Sequence, residues 1–288
     1  MMSVQLEELP YSISGLRLNV AVGPRNGPPL VFFHGVTRRW QTFLPLLASL
    51  LPRWQVFAVD FPGHGRSDRV DGSYLVIDYV RWAEEFLRTH FPGDVSLYGH
   101  SLGSMVAAGC ASRLPNVRSI ILEDPPFDVM GERIATTPLL GYFRDLSRFA
   151  GATASVEEVA RQVSEIRMGV AGSPNTFRLG DIRDGVSLRF TAASLRQLDP
   201  RALADVVDRN WLEGYDQVEI LGRVSCPTLL LQGDVKAGGM LPDDDAAAVI
   251  RQLRDGTLIR FPGIGHVIHW AKTQDVINAA CGFLESLR

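Results

Sequence analysis

Val95-Ser96-Leu97-Tyr98-Gly99-His100-Ser101-Leu102-Gly103, with Ser104-Met105-Val106-Ala107-Ala108 after it, is the stretch whose reading decides the fold. Its first four residues read as a buried strand, and those after Ser101 read as a helix. The serine between them falls on a tight strand-to-helix turn flanked by glycines. Such a turn needs small neighbours, because it holds the serine in a strained backbone conformation and closes without room for side chains. It projects the serine hydroxyl out of the sheet. It also leaves the Leu102 N–H at a helix N-terminus, free to donate to a developing oxyanion.

Working outward, residues 30–33, 55–59, 119–122, 228–232 and 257–261 join 95–98 as predicted strands. Most are nearly all apolar, as strands covered on both faces are. Residues 12–22, with a turn at Ser14-Gly15, predict an antiparallel hairpin at the sheet edge. Between the strands lie helical periods. Tyr79, Trp82, Ala83, Phe86 and Leu87 share one helix face, and Val276, Ala280, Phe283, Leu284 and Leu287 share another. This alternation predicts an α/β fold with a mostly parallel central sheet and helices on both faces.

The regularity stops after Leu122. Residues 125–225 show helical patterns and no convincing strand. Ser155-Val156-Glu157-Glu158 has capping-box spacing ahead of one helix, and 201–215 reads as another. The expected organisation is a core of residues 1–124 and 226–288, interrupted by a helical cap over 125–225. Phe127, Met130, Phe143, Phe149, Met168, Phe177 and Trp211 are spread through that cap. They predict either an apolar pocket beneath it or the cap's own core.

Composition narrows the function classes. The chain has 288 residues, 46% hydrophobic and 21% charged, enough for one large globular domain. A net charge of −3 gives no phosphate-tracking surface, so no nucleic-acid partner is expected. Lys236 and Lys272 are the only lysines, and the many arginines read as a compositional bias. No run of 18 apolar residues exists, so no membrane span is expected. The stretch MMSVQLEELPYSISG lacks a basic start and an apolar run, which predicts a cytoplasmic protein. Cys110, Cys226 and Cys281 are too scattered for a disulfide framework or a zinc site and predict buried free thiols. There is no P-loop, and Gly63 and Gly65 do not form a dinucleotide fingerprint.

The elbow at Gly99-His100-Ser101-Leu102-Gly103 resembles that of the α/β-hydrolase fold family, in its serine hydrolase branch. The likeness covers most of the chain. His34-Gly35-Val36 follows the first core strand, and Asp60-Phe61-Pro62-Gly63-His64-Gly65-Arg66-Ser67 follows the next. Gly263-Ile264-Gly265-His266 follows the last strand. The resemblance implies Ser101 as nucleophile, His266 as general base, and the Val36 and Leu102 N–H groups as the oxyanion hole. It makes the loop from Asp60 to Ser67 structural, with Asp60 and Arg66 for local hydrogen bonds and His64 without a catalytic role. His34, Gly35 and His100 flank the site and are expected to line the substrate pocket or orient backbone. His269 is expected near the pocket or on the terminal helix.

The acid departs from the family pattern. The usual position, three residues beyond Gly233, falls on Lys236, which cannot orient an imidazolium. Asp234 is close by on a lengthened loop, and the run Asp243-Asp244-Asp245 reads as a helix start. Some relatives take the acid from the end of the strand after the nucleophile helix, here Leu122-Glu123-Asp124-Pro125. Asp124 has the better register with that position, and Asp234 stands as its alternative. The activity implied is hydrolysis of a carboxylic ester or lactone of a small-molecule substrate through an acyl-enzyme. No metal or organic cofactor is needed, and the protein is expected as a monomer or homodimer. A serine at the elbow argues against the branches with a carboxylate nucleophile. A carbon–carbon bond hydrolase on the same triad remains an alternative, as does a non-catalytic ligand receptor of the same fold.

Overall fold

Strands that are apolar on both faces need cover on both sides, and the arrangement of this chain follows from that need. In the computed structural model, which describes residues 6–169 and 175–288, an eight-stranded sheet runs through the molecule. Its strands are β1 (Glu7–Ile13), β2 (Leu16–Val22), β3 (Pro29–Phe33), β4 (Gln55–Val59), β5 (Val95–His100) and β6 (Val117–Glu123), with β9 (Thr228–Gly233) and β10 (Gly256–Phe261) added later in the chain. Their spatial order is β1-β2-β4-β3-β5-β6-β9-β10. From β4 to β10 all neighbours are parallel. The hairpin β1–β2 joins antiparallel through β2 and β4. It begins at Glu7, earlier than residues 12–22 predicted, because β1 is an edge strand whose residues are mostly exposed and carry no apolar signature.

One face of the sheet is covered by the helices Val76–His90 and Leu102–Ala111, through residues such as Tyr79, Phe86, Met105 and Val106. The other face is covered by Leu44–Leu50 and Thr273–Glu285, through Leu46, Leu47, Val276 and Leu284. The three cysteines are buried and free. Among the described residues no helix is long and apolar enough to cross a membrane, and residues 1–5 of the N-terminal stretch lie outside the described residues.

Between β6 and β9 the chain leaves the sheet. Helices Leu139–Ser147, Val156–Ser164, Gly185–Arg196 and Gln217–Arg223 dominate this segment. The Ser155 side chain accepts the Glu158 N–H at 3.1 Å, as the capping spacing predicted. Two expectations are corrected here. The segment is not wholly helical: β7 (Arg167–Gly169) and β8 (Thr176–Arg178) pair antiparallel, in strands of three residues, too short to show an alternating pattern. The helix expected over 201–215 is broken into a 3-10 turn (Pro200–Leu203) and a short helix (Ala204–Asp208), ended by Arg209 in a left-handed conformation at φ 67°. Asn210 and Gly214 (φ 75°) then turn the chain, and Trp211 enters the core. Phe127, Met130, Phe143, Phe149 and Trp211 are all buried in the packing of this segment against the core, with Met168 and Phe177 half-buried beside them.

The elbow is built by backbone approach. A Cβ at Gly103 would lie 1.9 Å from the Phe33 carbonyl oxygen, and one at Gly99 would lie 2.2 Å from the Gly103 carbonyl oxygen. Neither obstacle is a flexible side chain, so Gly103→Ala forces the backbone apart, at a cost of about 1–3 kcal/mol or more. Gly282, on the exposed side of the last helix, has nothing within 4 Å of its Cβ position. Thermal unfolding should therefore show a clearly lower Tm for Gly103→Ala, and an unchanged or raised Tm for Gly282→Ala, which only gains helix propensity.

Candidate active site

The C-terminal ends of parallel strands gather the side chains that the motifs singled out. Ser101 follows β5 directly, with φ 56° and ψ −119°, a conformation that non-glycine residues rarely adopt. The strain is held from both sides. The Ser101 N–H donates to the Glu123 carbonyl oxygen at 2.9 Å, and the Ser104 hydroxyl donates to the Gly99 carbonyl oxygen at 2.7 Å. Ser101 is 5% exposed. Val36 and Leu102 are buried beside it, and among the described residues neither of their N–H groups has a protein acceptor.

Asp124 follows β6, fully buried, with φ 45°. Its Oδ2 lies 2.7 Å from His266 Nδ1 and accepts the Met240 N–H at 2.7 Å. Its Oδ1 accepts the Gly233 N–H at 3.0 Å. A carboxylate fixed by two backbone donors presents one orientation to the imidazole. Asp234 does not reach His266. Its carboxylate accepts the Lys236 and Gly263 N–H groups at 2.9 Å each, and these bonds, Gly263 first, hold its pKa below the usual range. The long loop after β9 thus serves Asp124 through its backbone. Asp243-Asp244-Asp245 opens the helix Asp243–Gln252, as expected.

The remaining histidines have separate tasks. His34 donates from Nδ1 to the Gly35 carbonyl oxygen at 2.8 Å and accepts the Phe61 N–H on Nε2 at 3.1 Å. Both ring nitrogens are committed to backbone, so His34 is a brace and has none left for a ligand. His64 Nε2 lies 2.6 Å from the Val36 carbonyl oxygen and Nδ1 lies 3.0 Å from that of Pro62. It steadies the loop that carries the Val36 N–H. Asp60 accepts the N–H groups of Trp40 and Arg66, as a structural loop requires, while the Arg66 guanidinium pairs with Glu8. Burial pushes the Asp60 carboxyl up to about 6. His100 donates from Nε2 to the His266 carbonyl oxygen at 3.0 Å, which leaves its buried Nδ1 without a partner. Burial pushes the His100 imidazole well below its ordinary pKa, so the ring is neutral. A Cβ on Gly35 would approach His100 Nδ1 to 3.1 Å and Ser101 Cβ to 3.2 Å, so the Gly35 backbone lies directly against the elbow.

Comparison with known proteins agrees with this fold. The model of the alpha/beta hydrolase family matches residues 30–280. The chain belongs to the α/β hydrolase family. The hydrolase is 26% identical to the 2-(acetamidomethylene)succinate hydrolase of Mesorhizobium japonicum, over 91% of this chain and 89% of that one. It is 30% identical to a pimeloyl-[acyl-carrier protein] methyl ester esterase of Xanthomonas oryzae pv. oryzae, over 91% and 97%. In structure it resembles an E-2-(acetamidomethylene)succinate hydrolase, with a TM-score of 0.74, 23% identity and coverage of 98% and 100%.

Sequence reasoning assigned no role to Glu123. This hydrolase uses two adjacent acids on two histidines three residues apart. Glu123, fully buried, lies 2.8 and 2.9 Å from His269 Nδ1 and also accepts the His269 N–H and the Tyr98 hydroxyl. His269 Nε2 meets the Thr42 hydroxyl at 3.0 Å. The ligand atoms of His100, Glu123 and His269 lie within 4.8 Å of one another, but those of Glu123 and His269 are already spent on these hydrogen bonds. Burial pushes the Glu123 carboxyl up, yet the His269 and His100 rings and the Tyr98 hydroxyl outweigh it and hold the carboxyl at about 2, below its ordinary 4.5. A lowered carboxylate stabilises the folded state above its unfolded pKa and loses that contribution as pH falls through the folded one. The wild-type protein should lose stability to urea between about pH 4.5 and pH 2 more steeply than Glu123→Gln. At neutral pH the variant should be less stable by about 3–5 kcal/mol, because it breaks a buried pair.

Proposed function

We propose that this hydrolase cleaves a carboxylic ester or lactone of a small molecule, with Ser101, His266 and Asp124 as its triad. The observation that carries the reading is the 2.7 Å bond from Asp124 to His266 Nδ1, at the same strand ends as the strained Ser101 turn. Asp124 fixes the tautomer that leaves Nε2 free to take a proton, and it stabilises the imidazolium that forms. His266 then removes the Ser101 proton as Oγ bonds to the substrate carbonyl carbon. The oxyanion is held by the Val36 and Leu102 N–H groups, which have no protein acceptor to lose. Collapse expels the alcohol, which takes the proton from His266 and leaves an acyl-Ser101. Water, deprotonated by His266, adds to the acyl carbon and releases the acid and the free serine.

The esterase likeness at 30% identity over most of both chains supports an ester substrate. We assign the cap to residues 125–225 and the core to 1–124 and 226–288. The cap's aromatic and methionine side chains belong to packing in this reading. The test begins with the intact mass after a fluorophosphonate probe. One adduct is expected on the wild type and none on Ser101→Ala. On an activated ester, Asp124→Asn should lose about 10⁴-fold in kcat, and Asp234→Asn should stay within a few-fold. No adduct on the folded wild type would sink the hydrolase reading, and near-normal rates in both variants would remove Asp124 from the triad.

A further inference from the structure

Arg38 is 7% exposed, and its Nη1 is enclosed without a hydrogen-bond partner. Among the described residues no carboxylate pairs with it, although arginines elsewhere are matched, as Arg133 is with Asp245 and Arg201 with Asp199. Its guanidinium packs instead against two rings, 5.5 Å from the centroid of Phe190 in the cap and 5.3 Å from that of Trp270 in the core. Two more cations stand in the same seam. Arg39 shares the Phe190 ring at 5.5 Å, and its guanidinium bonds to Gln197. The Arg183 guanidinium bonds to the Tyr142 hydroxyl, and its charge is felt at Arg38. Burial, with Arg183 adding to it, pushes the Arg38 guanidinium down to about 10, so it is still charged at neutral pH.

A buried cation without an anion costs several kcal/mol, and rings alone return only part of that. The position of the charge says where its anion belongs. The Arg38 N–H closes a turn onto the Gly35 carbonyl oxygen at 2.9 Å, and Gly35 is the residue packed against Ser101 and His100. Arg38 is therefore two residues beyond the proposed oxyanion donor Val36, between the cap and the core. We propose that Arg38 is the receptor for a carboxylate on the substrate, seated in the cap–core seam close to the acyl group that Ser101 attacks. This deepens the hydrolase reading and rests on it. A guanidinium stacked on rings offers its planar N–H edge, which matches the two oxygens of a carboxylate. Arg39 and Arg183 add long-range attraction for the same anion.

The test uses binding, which does not depend on turnover. Succinate, glutarate and adipate are titrated calorimetrically into Ser101→Ala protein and into Ser101→Ala with Arg38→Met or Arg38→Lys. At least one diacid is expected to bind Ser101→Ala, with Kd rising tenfold or more in Arg38→Met and less in Arg38→Lys, which keeps the charge without the fork. The Tm of the free protein should hold or rise in Arg38→Met, because the substitution removes an uncompensated buried charge. No binding of any diacid to Ser101→Ala, or binding unchanged in Arg38→Met, overturns the proposal. A fall in Tm with no change in binding assigns Arg38 to the packing of Phe190 and Trp270 alone. Tighter binding of inorganic phosphate than of every diacid moves the site to phosphorylated substrates and also overturns it. A fluorophosphonate adduct on wild-type Ser101 alongside failed diacid binding would leave the hydrolase reading standing while this one falls.

Discussion

The contact between Gly103 and the Phe33 carbonyl oxygen is the constraint from which the site is built. With no Cβ at Gly103, the helix Leu102–Ala111 settles against the end of β3, where a Cβ would stand 1.9 Å from that oxygen. The chain leaving β5 then has room only for a sharp reversal, and Ser101 takes up the strain at φ 56°. The next residues after Phe33 are His34, Gly35 and Val36, so the same approach brings the second N–H donor to the serine. His34 and His64 brace that loop through backbone carbonyls and the Phe61 N–H. Three motifs far apart in sequence are thus consequences of one close backbone crossing.

The end of β6 carries the second arrangement. Glu123 and Asp124 are neighbours, yet one ends the strand and the other sits beyond it at φ 45°. They face different histidines, and the offset of three residues between His266 and His269 matches this split. Asp124 keeps contact with His266, which is partly exposed. Glu123 and His269 are both fully enclosed with Tyr98 and Thr42, so their hydrogen bonds belong to the scaffold. Burial separates two chemically similar acid–histidine pairs into one partly open, which we assign to the triad, and one fully enclosed in the scaffold.

The parallel core was legible because strands covered on both faces are apolar nearly throughout. The elbow and His266 could be read from the glycine motifs that carry them. The sequence left the acid open between Asp124 and Asp234, since both follow strands, and their difference lies in hydrogen bonds to His266 and to the loop from Gly233 to Met240. The edge strand β1 was invisible in part because an exposed strand has no hydrophobic period. The break at Arg209 depends on tertiary packing of Trp211, which no local pattern announces. Arg38 was lost among many arginines, because its distinction is a missing partner, and a missing partner is a property of three-dimensional surroundings.

Several departures from local rules lie at the strand ends. Of the five described non-glycine residues with positive φ, Ser101, Asp124 and Phe127 follow the ends of β5 and β6. The unpartnered nitrogens of Arg38 and His100 lie against the same loops. Elsewhere the chain has capped helices, paired surface arginines and a core filled by aliphatic and aromatic side chains. Strain and unmatched polarity at a single site are unfavourable for folding alone, and the rest of the molecule must supply the stability that offsets them. A chain selected only to fold would relax Ser101 and give Arg38 a carboxylate. Keeping both unsatisfied in a buried seam makes sense when the missing oxygen atoms arrive with a ligand.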